Sequence, residues 1–396
     1  MIKYNSRISR VTALFVVAVF SLVACANSRQ KEDLESSIRK IFADHKMSAM
    51  AIAVVKGDSI IYTTSLGHRT LDADGHAGDP IAEDDLFALA SVSKCFVGTA
   101  VMRLVEERKL SLKDDAQKYL GFTLRNPKYP RRSITVQHLL THTSGLNDGV
   151  SWWNTDSLKP DLCKRYAESY NDYAPGKGYD YCNLNYVLLA QVIEGATGKR
   201  FDDEIERIVL NPLSIHGDFN PLRLEADKFV NTYYRDSKTG KLINSDYLFK
   251  QYPVLEAPRY KMGETVILEY PAAGMKIDIE SFARFMIAHM NGGQYNGTRI
   301  ISDSSEKKMR KNYVGDNNYG LSFRQYPDII SGTVLHGQTG GVTGVKTAMI
   351  FNPDEKYGFV ILTASAETDY IDGMGDIHKP LIQLLYDGLL RSGNKL

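Results

Sequence analysis

Short β-rich apolar runs lie near both ends of the chain, whereas the long middle part shows helical spacing. Near the N-terminus the runs 49–55 and 59–66 flank Lys56-Gly57-Asp58, which predicts a β-hairpin. Near the C-terminus the runs 345–351 and 358–363 flank an Asn-Pro-Asp-Glu turn and predict a second hairpin. Both ends of the chain are therefore expected to supply antiparallel strands.

The middle of the chain is predicted to be mainly helical, because its apolar residues return every three or four positions. This spacing is found at 96–105, 186–193 and 282–290, and again in a closing helix at 377–390. Strands at both ends with helices between them indicate one domain interrupted by another. The predicted fold class is α+β: an antiparallel sheet flanked by helices from residues 36–90 and 291–396, with an inserted helical lobe over 91–290.

The first residues predict export. Three basic residues precede the apolar run 11–24, so residues 1–24 are interpreted as a signal peptide. This segment ends in Leu-Val-Ala-Cys25, which resembles the lipobox of bacterial lipoproteins and predicts lipidation of Cys25. The alternative is an ordinary cleavage site among the small residues around Cys25. Residues 25–35 are interpreted as a polar tether, and we expect a cell-envelope protein anchored to a membrane, periplasmic or surface-exposed.

Composition excludes several classes of function. The 48 basic and 47 acidic residues nearly cancel, so no overall field attracts nucleic acid, and a small substrate is favoured. The sequence has no phosphate loop, dinucleotide fingerprint or Gly-x-Ser-x-Gly elbow, and we predict no cofactor. His138 and His142 stand one helical turn apart as zinc ligands would, but no glutamate follows His138 and no third ligand is apparent. Structural roles are favoured for both, and no metal is predicted.

Ser91 and Lys94 form the first candidate chemical pair. They lie one turn apart at the start of an apolar helix, so their side chains share a face. A serine hydroxyl needs a nearby base, and a lysine can serve where burial and a helix N-terminus favour its neutral amine. The same spacing occurs among charged residues at Ser37/Lys40, Ser304/Lys307 and Ser305/Lys308, where a solvated helix face is expected.

Tyr181 and Asn183 form the second candidate motif, in a loop between two glycines and another apolar helix. The phenol of Tyr181 could relay a proton, and the amide of Asn183 could hold Lys94 and a substrate amide. The alternative is a buried tyrosine with one hydrogen-bond partner. Aromatic residues just before this motif could wall a cleft or pack the lobe: Trp152, Trp153, Tyr166, Tyr170, Tyr173 and Tyr179.

Several segments, in order, resemble the class C β-lactamase-related family, which includes β-lactamases, DD-peptidases, carboxylesterases and D-aminopeptidases. The likeness runs from about residue 35 to 390 and is carried by 87–94, 104–112, 134–145, 175–183, 197–198, 271–275 and 319–321. It implies a serine β-lactamase/DD-peptidase-like fold with Ser91 as the acylated nucleophile, Lys94 as its base, and Tyr181 with Asn183 as the second motif. It also implies an oxyanion hole made by the backbone N–H groups of Ser91 and Gly341.

The third motif departs from that family, which has Lys or His, then Thr, then Gly. The literal Lys238-Thr239-Gly240 lies in a polar stretch that predicts a turn. The position that matches in order is Gln338-Thr339-Gly340-Gly341, so neutral Gln338 stands where the family has a cation. This weakens the case for β-lactams or D-alanyl peptides as substrates. His336, two residues away on the same strand face, either borders the cleft or is a structural donor.

Three functions remain open from the sequence. The leading hypothesis is a serine hydrolase that forms an acyl-enzyme on Ser91 with an ester or amide, and a bulky hydrophobic substrate is one candidate. The second is an acyltransferase, in which an alcohol or amine takes the acyl group. The third is a weakly catalytic penicillin-binding-type sensor that acylates once. The acyl donor and the oligomeric state are not assigned.

Overall fold

The computed structural model describes residues 29–72, 74–236, 238–245, 261–263, 271–367, 370–371 and 374–391. The predicted signal peptide and Cys25 lie outside these residues. Within them, every helix is too short or too polar to cross a bilayer.

The strands are β1 Ala49–Lys56, β2 Ser59–Gly67, β3 Phe87–Ala88, β4 Gly217–Asp218, β5 Tyr233–Arg235, β6 Leu242–Asn244, β7 Lys276–Ile277, β8 Gln294–Tyr295, β9 Thr298–Arg299, β10 Arg324–Ile330, β11 Thr333–Val342, β12 Val345–Asn352, β13 Tyr357–Ala364, β14 Tyr370–Ile371 and β15 Met374–Gly375. The helices are α1 29–44, α2 Ser93–Glu106, α3 Val136–Leu140, α4 Leu184–Thr197, α5 Phe201–Ile205 with a π-helical turn Glu206–Leu210, α6 Ile279–Met290, α7 Asp303–Arg310 and α8 His378–Leu389.

The main sheet is antiparallel and joins the two ends of the chain. Its six strands run in the order β10-β11-β12-β13-β1-β2. Both predicted hairpins are present, and β1 pairs with β13 from Ala49 opposite Ala364 to Lys56 opposite Tyr357. The α+β fold class predicted from the sequence is confirmed.

Strand β1 is buried on both faces, which explains its unbroken apolar sequence. Ala51 and Ala53 face the inner core, where small side chains let α6 and the lobe pack closely. Met50 and Ile52 face the outer core, which α1 and α8 cover. The alternation of side chains along the strand thus serves two separate cores.

Two predicted boundaries are corrected by the packing. Residues 29–35, assigned to a polar tether, are helical, because Leu34 and Ile38, spaced by one turn, pack on the outer face of the sheet. Helix α6, assigned to the inserted lobe, packs on the sheet instead: a side chain at Gly358 would meet the sulfur of Met286 at 2.8 Å. The literal Lys238-Thr239-Gly240 lies in the turn that joins β5 to β6.

Helix α2, the first helix of the lobe, packs against elements of the sheet domain. Phe96 of α2 stacks on Phe285 of α6, with ring centres 3.8 Å apart. Gly98 allows the backbone of α2 to pack closely against Ser322, since an added side chain would lie 2.2 Å from the Ser322 hydroxyl oxygen. These contacts place the N-terminus of α2 at the junction of the lobe and the main sheet.

Candidate active site

Ser91 lies in a 3₁₀ turn, Ala90–Val92, that leads directly into α2. Strand β11 packs closely on this turn: a side chain at Gly340 would begin 2.3 Å from the Leu89 carbonyl oxygen and 3.0 Å from the Ser91 backbone nitrogen. Thr347 of β12 donates a 2.6 Å hydrogen bond to the same Leu89 oxygen. Glycine at position 340 therefore allows the strand of the third motif to touch the backbone of the Ser91 turn.

Lys94 is fully buried, and its amine joins three parts of the site. The Nζ atom donates to Ser91 Oγ at 3.1 Å, to Asn183 Oδ1 at 2.9 Å and to the Ala272 carbonyl at 2.9 Å. Burial lowers the pKa of Lys94 to about 7, and the negative charge of Asp148 opposes part of this effect. A neutral amine can donate to the two carbonyl-type oxygens and turn its lone pair to the serine hydroxyl. Near neutral pH, Lys94 can therefore accept the Ser91 proton.

Tyr181 lies against the same amine, with Lys94 Nζ 4.9 Å from its ring centre. Burial raises the pKa of Tyr181 above its ordinary value, while a hydrogen bond with Ser91 and the charge of Arg324 act in the opposite direction. The phenol consequently stays protonated at neutral pH and can give a proton to a leaving group. Its oxygen also accepts a 3.4 Å hydrogen bond from Gln338 Nε2.

Asp148, which the sequence did not single out, holds Asn183 in place. Its carboxylate accepts hydrogen bonds from the Asn183 backbone at 2.9 Å, the Asn183 amide at 2.8 Å, the Leu184 backbone at 3.2 Å and the Cys182 thiol at 3.2 Å. Helix α4 begins at Leu184, where a negative charge is favourable. Because Asn183 Nδ2 is bound to Asp148, its Oδ1 is directed at Lys94. A lone aspartate three residues after Gly145 carries no motif that could have revealed this role.

The imidazole ring of His142 packs against the ring of Tyr181. Its ring centre lies 4.2 Å from that of Tyr181 and 4.9 Å from that of Tyr319. Its Nδ1 accepts a 3.1 Å hydrogen bond from the Cys182 backbone, and burial lowers the pKa of His142 well below its ordinary value, so the ring is neutral. His138 instead completes the N-terminal cap of α3. The two histidines that share zinc-like spacing thus have separate packing roles.

The aromatic group before the second motif divides between the site and the lobe. The Tyr179 hydroxyl accepts a 3.3 Å hydrogen bond from Arg324, and its ring centre lies 6.1 Å from that of Tyr319. Tyr170 belongs to the lobe core, and Trp152 is 38% exposed. Packing in the lobe is therefore confirmed for Tyr170, whereas the cleft-wall role stays a prediction for Tyr179.

The third motif presents alternate residues to opposite faces of β11. Gln338 faces the tyrosines, donating to Tyr319 at 3.3 Å as well as to Tyr181, and Gly340 faces the Ser91 turn. Thr339 points the other way: it pairs with Ala348 of the outer core, and its hydroxyl lies 3.4 Å from that of Tyr326. Any contact of Thr339 with a substrate would thus come from its backbone. Gly341 follows, paired with Lys346 of β12.

His336 shares a strand face with Gln338, but the structure does not bring it to the Ser91 group. Its register partner is Phe351, with ring centres 6.5 Å apart. Burial, with a smaller contribution from the charge of Arg310, lowers the pKa of His336 to about 4. A ring that is neutral at pH 7 and packed on Phe351 does not replace a cation at Gln338.

Solved structures of a beta-lactamase and of another hydrolase share this fold. A class C beta-lactamase superposes with a TM-score of 0.69 at 20% identity, covering 93% of this chain and 98% of that one. EstCE1, described as a hydrolase with promiscuous acyltransferase activity, superposes with a TM-score of 0.68 at 20% identity, covering 92% of this chain and 99% of its own. At these identities the likeness establishes the fold.

Sequence comparison extends the likeness to a family. Penicillin-binding protein 4* of Bacillus subtilis (strain 168) is 29% identical over 195 residues, which make up 47% of this chain and 41% of that protein. The chain spans between 41% and 66% of the length of the curated relatives it matches. The family model described as Beta-lactamase matches residues 34–375, a range that contains Ser91, Lys94, Tyr181 and Asn183. The resemblance drawn from the motifs is confirmed: this chain belongs to the beta-lactamase family.

Proposed function

We propose that this enzyme hydrolyses a small ester or amide through an acyl-enzyme on Ser91. One observation carries the proposal: a fully buried amine, that of Lys94, lies 3.1 Å from the Ser91 hydroxyl oxygen and has a pKa of about 7. A lysine in this state can act as a general base near neutral pH.

In the acylation step, the Ser91 oxygen attacks the substrate carbonyl carbon while its proton passes to Lys94 Nζ. We assign the resulting oxyanion to the backbone N–H groups of Ser91 and Gly341, since β11 lies against the Ser91 turn at Gly340. The Tyr181 phenol gives its proton to the leaving oxygen or nitrogen and recovers one from Lys94. The alcohol or amine departs, and the acyl group remains as an ester on Ser91.

In the deacylation step, water attacks the acyl ester and gives a proton to Lys94. The tetrahedral intermediate collapses, the Ser91 oxygen takes that proton, and a carboxylic acid is released. Asn183 keeps the amine in place throughout, because Asp148 fixes the orientation of its amide.

Intact-protein mass spectrometry with a fluorophosphonate tests the nucleophile. We expect one adduct on the wild type, none on Ser91→Ala, and an unchanged adduct on Ser304→Ala. Ser304 is a matched control, because it has the same spacing to Lys307 but lies exposed on α7. An adduct that persists in Ser91→Ala, or an unmodified wild type, would contradict the proposal. Release of many equivalents of nitrophenol from a nitrophenyl ester would exclude the single-acylation sensor.

Acyl transfer to an alcohol is the second candidate. The likeness to EstCE1 favours it, as does the partly exposed ring of Tyr179 near the site, which offers apolar surface to an acceptor. Product analysis with a nitrophenyl ester and increasing hydrophobic alcohol would show a new ester if transfer occurs. Exclusive formation of the acid at high alcohol concentration would reject it.

Export and lipidation at Cys25 remain our proposal from the sequence of residues 1–25. Expression with the native N-terminus should place the wild type in the membrane fraction, with a lipid mass on the N-terminal peptide. Cys25→Ser should remove that mass and release the enzyme. A wild type recovered without lipid would reject the anchor but leave the chemistry at Ser91 unaffected.

A further inference from the structure

Tyr181 lies in a stretch of chain without regular secondary structure. Residues 178–182 belong to neither a helix nor a strand, and α4 begins only at Leu184. A general acid works only within hydrogen-bond reach of the atom that takes its proton. The place of the Tyr181 phenol therefore depends on individual contacts made by this segment, because no regular ladder of backbone hydrogen bonds fixes it.

His142 binds the backbone on both sides of Tyr181. Its carbonyl oxygen accepts a hydrogen bond from the Asp180 backbone at 3.0 Å, and its ring Nδ1 accepts one from the Cys182 backbone at 3.1 Å. The ring also packs on the Tyr181 ring, with centres 4.2 Å apart. One residue thus restrains the chain before, at and after the phenol that gives its proton to the leaving group.

His142 is itself held by buried neighbours. It follows α3, whose Leu140 carbonyl accepts a 3.1 Å hydrogen bond from the Tyr186 hydroxyl of α4. Its φ of 57° lies in the left-handed region, which residues other than glycine adopt rarely and keep where surrounding contacts hold them. The residue is buried as well. The two hydrogen bonds to residues 180 and 182 therefore start from a fixed point of the lobe.

The contact with Cys182 requires a neutral His142 ring with its proton on Nε2. A backbone N–H donates only to an unprotonated ring nitrogen, so Nδ1 carries no hydrogen. The amide of Asn185 agrees with this assignment: its Oδ1 accepts from the Ser144 hydroxyl at 2.7 Å, and its Nδ2 lies 3.2 Å from the same Nδ1. Among the residues that the structure describes, none forms a hydrogen bond with Nε2. The polar contacts of the ring are thus both made at Nδ1.

We propose that His142 is a positioning residue, which keeps the Tyr181 phenol where it can protonate the leaving group. The inference rests on the proposed acyl-enzyme function and adds a residue to its proton-transfer step. Loss of the acceptor at Nδ1 releases the backbone at Cys182, and a small displacement of a proton donor strongly slows the step that needs it. A histidine present only for packing would lower the turnover of all substrates to the same extent.

The leaving group makes the test specific to the proton donor. A nitrophenolate departs readily without a proton, whereas the more basic trifluoroethoxide needs one. Nitrophenyl butyrate and trifluoroethyl butyrate form the same acyl-enzyme, and kcat/KM covers only the steps up to its formation. The measured quantity is the ratio of kcat/KM for the trifluoroethyl ester to that for the nitrophenyl ester. Tyr181→Phe, which lacks the donor, sets the largest fall that this ratio can show.

The variants separate the hydrogen bond from the packing. His142→Ala and His142→Gln both remove the acceptor from the Nδ1 position, and they differ in size in case one of them does not fold. His142→Asn keeps an acceptor there, because its Oδ1 takes the place of Nδ1, and asparagine tolerates the left-handed backbone. The matched control is His138→Asn, which changes the other histidine of the pair, whose side chain belongs to the cap of α3.

We expect the ratio to fall about tenfold or more in His142→Ala and His142→Gln, since a general acid contributes about 10²- to 10⁴-fold. It should fall far less in His142→Asn and keep its wild-type value in His138→Asn. A fluorophosphonate adduct on Ser91 shows in each variant that the nucleophile is intact. An unchanged ratio in His142→Ala or His142→Gln, with the adduct still formed, would overturn this inference alone. A wild type that turns over neither ester and forms no adduct would instead reject the proposed function.

Discussion

Replacing Lys94 by methionine removes a titrating amine from the core while keeping an unbranched side chain. In the folded protein, burial lowers the pKa of Lys94 from 10.5 to about 7. Between these two pH values the unfolded chain therefore binds a proton that the folded chain does not. The stability of the wild type consequently rises with pH across this window, and the contribution is lost as the pH falls through about 7. The variant lacks this dependence.

The magnitude follows from the two pKa values. Their separation corresponds to roughly 5 kcal/mol for a complete titration. From about pH 7.5 to about pH 9.5, the wild type should gain about 2–3 kcal/mol of unfolding free energy relative to Lys94→Met. The absolute difference at one pH is less informative, because the variant also leaves Asn183 Oδ1 and the Ala272 carbonyl without their amine donor, at about 1–3 kcal/mol each.

Urea unfolding at several pH values in this window measures the effect. The readout is the wild-type minus variant difference in unfolding free energy, plotted against pH. Lys40→Met is the control for loss of a lysine, since the Lys40 side chain is 74% exposed. A Lys94→Met difference that stays constant with pH would refute the depressed pKa and, with it, the role of Lys94 as a base near neutral pH.

Two further predictions concern the neighbours of this amine. The plot of kcat/KM against pH should rise through about pH 7 as Lys94 loses its proton. Asp148→Asn should move this rise to lower pH, because the negative charge of Asp148 raises the Lys94 pKa. A rise that stays in place or moves to higher pH would count against this electrostatic link. Gly340→Ala should cost about 1–3 kcal/mol of stability and most of the activity, since its added carbon would lie 2.3 Å from the Leu89 oxygen. Calorimetry and ester turnover check this change, and near-normal values for both would disprove the close contact between β11 and the Ser91 turn.

Local spacing was enough to predict the relation between Ser91 and Lys94. Two residues three apart at a helix start share a face whatever the rest of the fold does, and their side chains meet at 3.1 Å. The hairpins of the main sheet were predictable for a similar reason, because each turn and the two strands that it joins follow one another directly in the sequence. The ordered motifs also led to the family.

Tertiary structure alone revealed the residues that adjust the site. Asp148 holds Asn183 across 35 residues of chain, and Arg324 reaches Tyr179 across 145. Neither lies in a pattern with a period, so no spacing in the sequence marks it. The surroundings of Thr339 and His336 could not be predicted from the sequence either. They depend on the pairing of these residues with Ala348 and Phe351 of β12.

The amino-acid sequence by itself determined the hairpins of the main sheet, the order of the motifs and the closeness of Ser91 to Lys94, since these depend on periodicity and on contacts within one or two turns. The tertiary structure decided which distant charges act on that pair. Burial of an amine and the reach of a carboxylate are properties of packing between segments far apart in the chain, and the chemistry of Lys94 depends on the groups that this packing brings around it.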